Sequence, residues 1–263
     1  MQESARMEES YLFIDGEYLR KIYVDAMQSV FAVDGDLHFE RLRDEARCLK
    51  TFVYECPDEK RDGESEADFK VRTAPQEEYF SKIRSLRGFH LQQGTLKGGK
   101  RRTQKEVDVL LAVDMLSHGF NRNMSRAVLV AGDLDFRPIV EALIRGGIFV
   151  EVWYDKRSAA KELPIAADYG RELHWNELYM WSTDEFKASH RVPDSPAFVQ
   201  DYLGFIQVKK GLLDGRRCDL IQRGDFFLRV DTGKGIAWFQ HKSPDVLERY
   251  YAKMWKPIEW DSQ

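Results

Sequence analysis

Short apolar runs alternate with amphipathic stretches through the first two-thirds of the chain. The run Tyr11-Leu12-Phe13-Ile14 stops at Asp15-Gly16 and reads as a first strand. Behind it Leu19, Ile22, Tyr23, Ala26, Val30 and Phe31 recur on one side of a helix. A second helix is expected after Asp36, and Cys48 to Cys56 reads as a second buried strand. Glu77 to Leu86 has a helical pattern, and Phe89 to Gln93 a strand pattern. A strong helix runs from Gln104 to about His118. Val128 to Ala131 is the fourth strand, followed by a helix over Phe136 to Arg145 that Gly146-Gly147 stops. Ile148 to Tyr154 is the fifth strand, Ser158 to Ala167 a helix despite Pro164, and Glu172 to Trp175 a last short strand. Strands alternating with helices predict an α/β class: a parallel sheet flanked by helices.

Two polar segments interrupt that rhythm. Pro57 to Pro75 is charged and weakly apolar, which predicts a surface loop or partly mobile insertion. Gly94 to Thr103 is glycine-rich and basic. The texture then changes after Ser182, and His190 to Pro196 reads as a linker. Beyond it come Phe205 to Val208, Cys218 to Gln222, Phe226 to Val230 and Ile236 to Gln240. Turn signals at Asp214-Gly215, Arg223-Gly224-Asp225 and Asp231-Thr232-Gly233 separate these runs. They predict a small β-rich C-terminal module closed by a helix over Pro244 to Met254. The expected organisation is one domain over residues 10–181 and an accessory module over 190–263.

A length of 263 residues suits one domain with a full core plus a small appendage. The formal net charge of −4 argues against coating nucleic acid by bulk charge, although the residues from His190 onward carry 12 Lys+Arg against 10 Asp+Glu. Cys48, Cys56 and Cys218 form neither a CxxC nor an even-numbered framework, which predicts a reducing, cytoplasmic setting. No apolar run reaches roughly 18 residues, so no membrane span is expected. Met1 to Ser10 is polar and acidic, unlike a signal peptide. The patterning leaves the oligomeric state open.

Chemistry concentrates at Gly132-Asp133-Leu134-Asp135, where two acids close a buried strand. Such a turn belongs at the carboxyl edge of a parallel sheet. Carboxylates held that close repel unless a cation joins them. Asp15 closes the first strand in the same way. Asp108 and Asp114 lie on the helix that follows the basic segment, six residues apart and so about 120° around it. Asp108, near the helix start, is the better site candidate. Asp114 sits among Leu111, Ala112, Val113 and Met115 and reads as an orienting group or a cap partner. The oxygen-rich set, with no His/Cys ligand cluster, suits Mg²⁺ or Mn²⁺. Such ions polarise a phosphodiester and activate water. Lys97, Lys100, Arg101, Arg102 and Lys105 stand ready for a phosphate backbone. Asp15 and Asp133, each taken alone, read equally well as helix caps, and the basic segment alone as a solvated turn, whereas Asp114 on an otherwise apolar helix is costly to bury unpaired. The recurrence of acids at separate strand ends favours a site.

Other chemistries lack their residues. A haloacid-dehalogenase-type phosphatase needs an aspartate where Glu17 stands, and a Toprim site needs a glutamate where Asp15 stands. There is no GxGxxG after the first strand, no GxxxxGK[ST], no GxSxG and no HExxH.

Three blocks in order resemble the NYN family of the PIN-like nuclease fold. They are Phe13-Ile14-Asp15-Gly16, the helix from Lys105 through Asp108 to Asp114-Met115, and Leu129 to Pro138 with its Gly132-Asp133-Leu134-Asp135 turn. Ala166-Ala167-Asp168 resembles a later element of the same family. The resemblance implies a PIN-like sheet and a metal-dependent endoribonuclease. Asp15, Asp108, Asp133 and Asp135 would surround Mg²⁺ or Mn²⁺, and Asp114 would match the family's second helix acid. It also implies RNA, single-stranded or structured, as the partner; nothing in the residues reads a 2′-hydroxyl, so DNA is a second candidate polymer. Tyr18, Ala131 and Leu134 stand where the family has Asn, Ser and Gly. The alternative is a catalytically weak or inactive RNA- or protein-binding module on the same fold. Phe226, Phe227, Trp238 and Phe239 read first as the core of the C-terminal module and second as its contact surface.

Overall fold

A computed structural model describes residues 9–94, 100–195 and 204–261, without the side chains of 100–105. The chain divides into two compact units, one of residues 1–22 and 38–181 and one of 23–37 and 182–263.

The elements of the α/β region follow one another as strand and helix. They are β1 (Ser10–Asp15), α1 (Gly16–Phe31), α2 (Phe39–Ala46), β2 (Lys50–Glu55), α3 (Glu66–Ser85), β3 (Phe89–Gln93) and α4 (Lys100–Phe120). Then come β4 (Arg126–Val130), a single 3₁₀ turn (Leu134–Phe136), α5 (Arg137–Arg145), β5 (Phe149–Tyr154), α6 (Glu162–Ala166), β6 (Tyr169–Glu172) and α7 (Trp175–Met180). The six strands form one parallel sheet in the order β3-β2-β1-β4-β5-β6. Alternation sorts their side chains onto two faces. Tyr11, Phe13, Phe52, Tyr54 and Leu129 join Val107, Leu111 and Met115 of α4 and Val140 and Leu143 of α5 in one core. Leu12, Ile14, Val53, Val128 and Val130 point the other way and are fully buried. Burial on both faces explains why these strands read as continuous apolar runs.

The structure corrects several expectations. Pro57 to Pro75 is not a loop throughout: α3 begins at Glu66 and carries Pro75 inside it. Ser65 caps it by accepting from the Asp68 N–H. Arg72 is held by Asp58 and Glu64, so charge pairing rather than an apolar stripe organises this stretch. Helix α4 starts at Lys100, so the second half of the basic segment is helical; residues 95–99 lie outside the described ones. The expected helix over Ser158 to Ala167 is confined to Glu162–Ala166. The last strand is Tyr169–Glu172, and Trp175 opens a helix.

The second unit holds α8 (Asp184–Ser189), β7 (Ile206–Leu213), β8 (Arg216–Arg223), β9 (Asp225–Asp231), β10 (Ile236–His241), α9 (Pro244–Met254) and β11 (Glu259–Trp260). Its antiparallel sheet runs β10-β9-β8-β7-β11, with reversals at the predicted turns. Leu247 and Tyr251 of α9 pack on Leu213, Cys218, Leu220, Leu228 and Val230. Phe227 and Trp238 are buried, and Phe226 and Phe239 partly so. All three cysteines are free thiols. Among the described residues no helix is long and apolar enough to cross a membrane.

The central strand tolerates no loss of volume. Leu129→Ala is expected to cost about 2–5 kcal/mol in urea unfolding. Val109→Ala, on the exposed face of α4, should stay within about 0.5 kcal/mol of the parent.

Candidate metal centre

The chain leaves β1 toward β2 and β3 on one side and returns to β4 on the other. The reversal of strand order opens a crevice beyond the carboxyl ends of β1 and β4, where open α/β sheets hold their ligands. The register sets Ile14 beside Val130. Asp15, the last residue of β1, and the Ala131-Gly132-Asp133 turn therefore leave the sheet side by side.

Both acids act as caps, as each alone suggests. Asp15 Oδ1 accepts from the Tyr18 N–H at 3.0 Å at the start of α1. Asp133 Oδ1 accepts from the Asp135 N–H at 2.9 Å and holds the 3₁₀ turn. Those bonds engage only one oxygen of each carboxylate. The acids also share a field. Burial, with Asp108, Glu17 and Glu55 adding to it, lifts the Asp15 carboxyl to about 7 against the lowering effect of the Tyr18 bond. Burial and the charges of Asp133, Asp135 and Glu17 lift Asp108 to about 6. Asp108 on α4 thus stands between the two strand ends: its charge acts on Asp15, the charges of Asp133 and Asp135 act on it, and Glu17 acts on both Asp15 and Asp108. Among the described residues no three acid, His or Cys side chains close around one point as a ligand cage. The donor type and the surplus negative charge nevertheless fit a hard divalent cation.

Asp114 points elsewhere. Its Oδ2 accepts from the Tyr54 hydroxyl at 2.9 Å, and it is not among the charges that lift Asp15 or Asp108. Asp168 accepts from the Val150 N–H at 2.8 Å and so secures the start of β5. Lys97 lies outside the described residues, as do the side chains of Lys100, Arg101, Arg102 and Lys105, whose backbone forms the start of α4.

Three features go beyond the sequence reading: Glu55, the packing of Tyr18, and Arg157. Glu55 ends β2 level with the site and is 1 % exposed. Its Oε1 accepts from the Tyr79 hydroxyl at 2.9 Å, whereas its Oε2 has no hydrogen-bond partner and lies 3.8 Å from the Arg20 guanidinium. A strand ending in an acid, as Asp15 does, was the available signal. Gly16 must be glycine here, because a Cβ would come within 2.4 Å of Glu55 Oε1 and 2.7 Å of the Tyr54 carbonyl oxygen.

Tyr18 is the second feature. Its ring lies so close to Gly132 that a Cβ there would meet Cε2 at 2.3 Å. Its hydroxyl accepts from the Asp155 N–H at 2.8 Å. One side chain therefore ties the ends of β1, β4 and β5 together. Arg157 is the third: its guanidinium donates to Asp155 Oδ2 at 2.6 Å and its N–H to Oδ1 at 2.7 Å. Asp155 is buried and Arg157 largely exposed, so a cation is held at the site's edge.

A family model described as NYN domain matches residues 10–173. A crystal structure of a protein of unknown function from Vibrio parahaemolyticus is similar over 71% of this chain and 99% of that chain, at 17% identity and a TM-score of 0.45. No curated protein matches the chain.

Two outcomes follow from the geometry. Gly132→Ala is expected to cost about 1–3 kcal/mol, and less in a Tyr18→Ala background; a double-mutant cycle without coupling would refute the Tyr18 contact. The second concerns pH. The Asp15 carboxyl is raised in the folded state, so its contribution to stability is present below the ordinary carboxylate range of about 4. That contribution is lost as pH rises through about 7. In EDTA, Asp15→Asn should therefore gain stability relative to the parent between pH 5 and pH 8. A difference independent of pH in urea melts would rule out the repelled carboxylate.

Proposed function

The chain belongs to the NYN domain family, with its PIN-like nuclease fold, and from that premise we propose that it is a metal-dependent endoribonuclease. The carrying observation is the group of acids at the sheet's switch point, with Asp15 raised to about 7 by burial and Asp108, and Asp108 to about 6 by burial, Asp133 and Asp135. Acids in that state gain most from a cation that discharges them.

Asp15, Asp108, Asp133 and Asp135 would hold Mg²⁺ or Mn²⁺. When bound, the ion supplies Lewis-acid polarisation of a phosphodiester and a lowered pKa for attacking water. The protein's own residues do the rest. The cap bonds from the Tyr18 and Asp135 amides fix one oxygen of Asp15 and of Asp133. Tyr18, wedged against Gly132, keeps the two strand ends at constant spacing. Asp114, half-buried and accepting from the Tyr54 hydroxyl, would serve as an orienting acid beside the site. Arg157 and the basic residues from Lys97 to Lys105 would meet the phosphate backbone as point charges. RNA as the polymer rests on the family.

The second reading, a binding module without cleavage, is favoured by the unclosed ligand set and by Tyr18, Ala131 and Leu134 in place of the family's Asn, Ser and Gly. One assay separates them: single-stranded and structured RNA and DNA, incubated with the protein in Mn²⁺ or EDTA, beside Asp133→Asn/Asp135→Asn. The expected result is Mn²⁺-dependent RNA cleavage that falls at least about 10- to 100-fold in the variant. Equal cleavage by the variant would sink the site. No cleavage of any RNA or DNA by the parent would favour the binding reading.

A further inference from the structure

The second unit carries a cavity of about 400 Å³ at the end of α9, where the β7–β8 turn and β9–β10 meet it. Its wall is aromatic. Phe239 of β10 and Tyr251 of α9 have ring centroids 4.3 Å apart, and Trp255 stacks parallel to Tyr251 at 4.9 Å with a 4° interplanar angle. Tyr251 is fully buried, whereas Trp255 is 60 % exposed. One face of the indole is covered by Tyr251, so the exposure falls on its other face and its edge. We propose that this cavity is a subsite for one base of single-stranded RNA, stacked on the Trp255 side of the aromatic column.

Size, shape and charge converge on that ligand. A volume of about 400 Å³ lies in the range of small-ligand pockets and takes one heterocycle. The parallel Tyr251–Trp255 pair offers a planar surface already ordered before binding, which lowers the cost of stacking a further ring. The charged groups on the rim are balanced: Asp214 pairs with Lys256, Arg216 donates to the Thr232 carbonyl, and Asp231 accepts from the Gly233 N–H. Two cations and two anions give no net pull on a bare phosphate or an acidic peptide. A neutral base meets no charge opposition at such a rim. The choice of RNA as the source of that base rests on the nuclease reading above; the rival occupant of an aromatic shelf, a proline-rich peptide, is an outcome of the test.

The test uses the full chain with Asp133→Asn/Asp135→Asn in EDTA, so that nothing is cut. Labelled adenosine and uridine hexamers, and an abasic hexamer of the same length, are titrated by fluorescence anisotropy. Trp255→Ala is expected to weaken hexamer binding by about 5- to 150-fold, the equivalent of one lost base stack. Trp255→Phe should weaken it less, and the abasic oligomer should not distinguish the variants. Equal affinity of Trp255→Ala and its parent for the hexamers would overturn the proposal. So would an equal loss on the abasic oligomer, or binding of a proline-rich peptide with none of the hexamers. Should Trp255→Ala lower the melting temperature of the unit, Trp255→Phe and the abasic comparison still decide. The two readings fail separately. Base-dependent binding through Trp255 without cleavage by the unmutated chain leaves this inference standing and removes the nuclease. Cleavage with a Trp255-independent affinity does the reverse.

Discussion

The parallel pairing of β1 with β2 on one edge and β4 on the other brings three strand ends level at one rim of the sheet. Each of those ends carries an acid: Asp15, Glu55 and, one residue past Gly132, Asp133. The hydrophobic runs behind them are buried on both faces, so none of the strands can slide to separate the charges without exposing its core side chains. The burial that makes the sheet stable also forces the carboxylates together. At Asp15 that burial is the largest cause of the raised carboxyl, and at Asp108, on α4, burial again comes ahead of the neighbouring charges. On this fold the rigidity of the core holds the strand-end acids in place against their repulsion.

Tyr18 changes how that repulsion is contained. The family places a short amide there, and this chain places a phenol that reaches Gly132 and the Asp155 amide. A ring packed between strand ends is a stiffer spacer than a hydrogen bond from a short side chain, because its position is set by contact on both sides. Glycine at 132 is the complement of that choice: the ring occupies the space a Cβ would take. Ala131 and Tyr18 are thus not simply two lost polar groups. At least one of them has been replaced by packing that holds the same strand ends.

Much of the crevice was legible because its signals are local. A strand running into Gly132-Asp133 or into Asp15-Gly16 announces itself within a few residues, and the helix period of α4 places Asp108 near the start. What stayed hidden depends on distance in sequence. Tyr18 contacts residues more than a hundred positions away, and no window of sequence contains both partners. The first half of helix α3 was hidden for a different reason. The helix's buried positions are only Thr73, Phe80 and Ile83, too few to set a period across Pro75, and its first half is organised by Ser65, Arg72 and Glu64. Asp114 was read correctly as partly buried among apolar neighbours, but its partner, Tyr54, came from a strand sixty positions away. The basic segment, by contrast, was legible only as composition, since charge alone specifies neither a loop nor a helix.

On the proposed reading, an acidic chain that handles RNA cannot rely on long-range attraction. With a net charge of −4, its summed field opposes a polyanion, and the acids at the crevice deepen that opposition until a cation discharges them. Affinity on the proposed reading must therefore come from short-range terms. One is a few cations fixed by neighbours, as Arg157 is by Asp155. The other is stacking, which is insensitive to net charge because every base presents a π-face. An ordered aromatic column in the second unit supplies the second kind of term in a module whose own rim charges cancel. The protein's selectivity would then favour unpaired bases over duplex, because only an unpaired base can leave its stack for another.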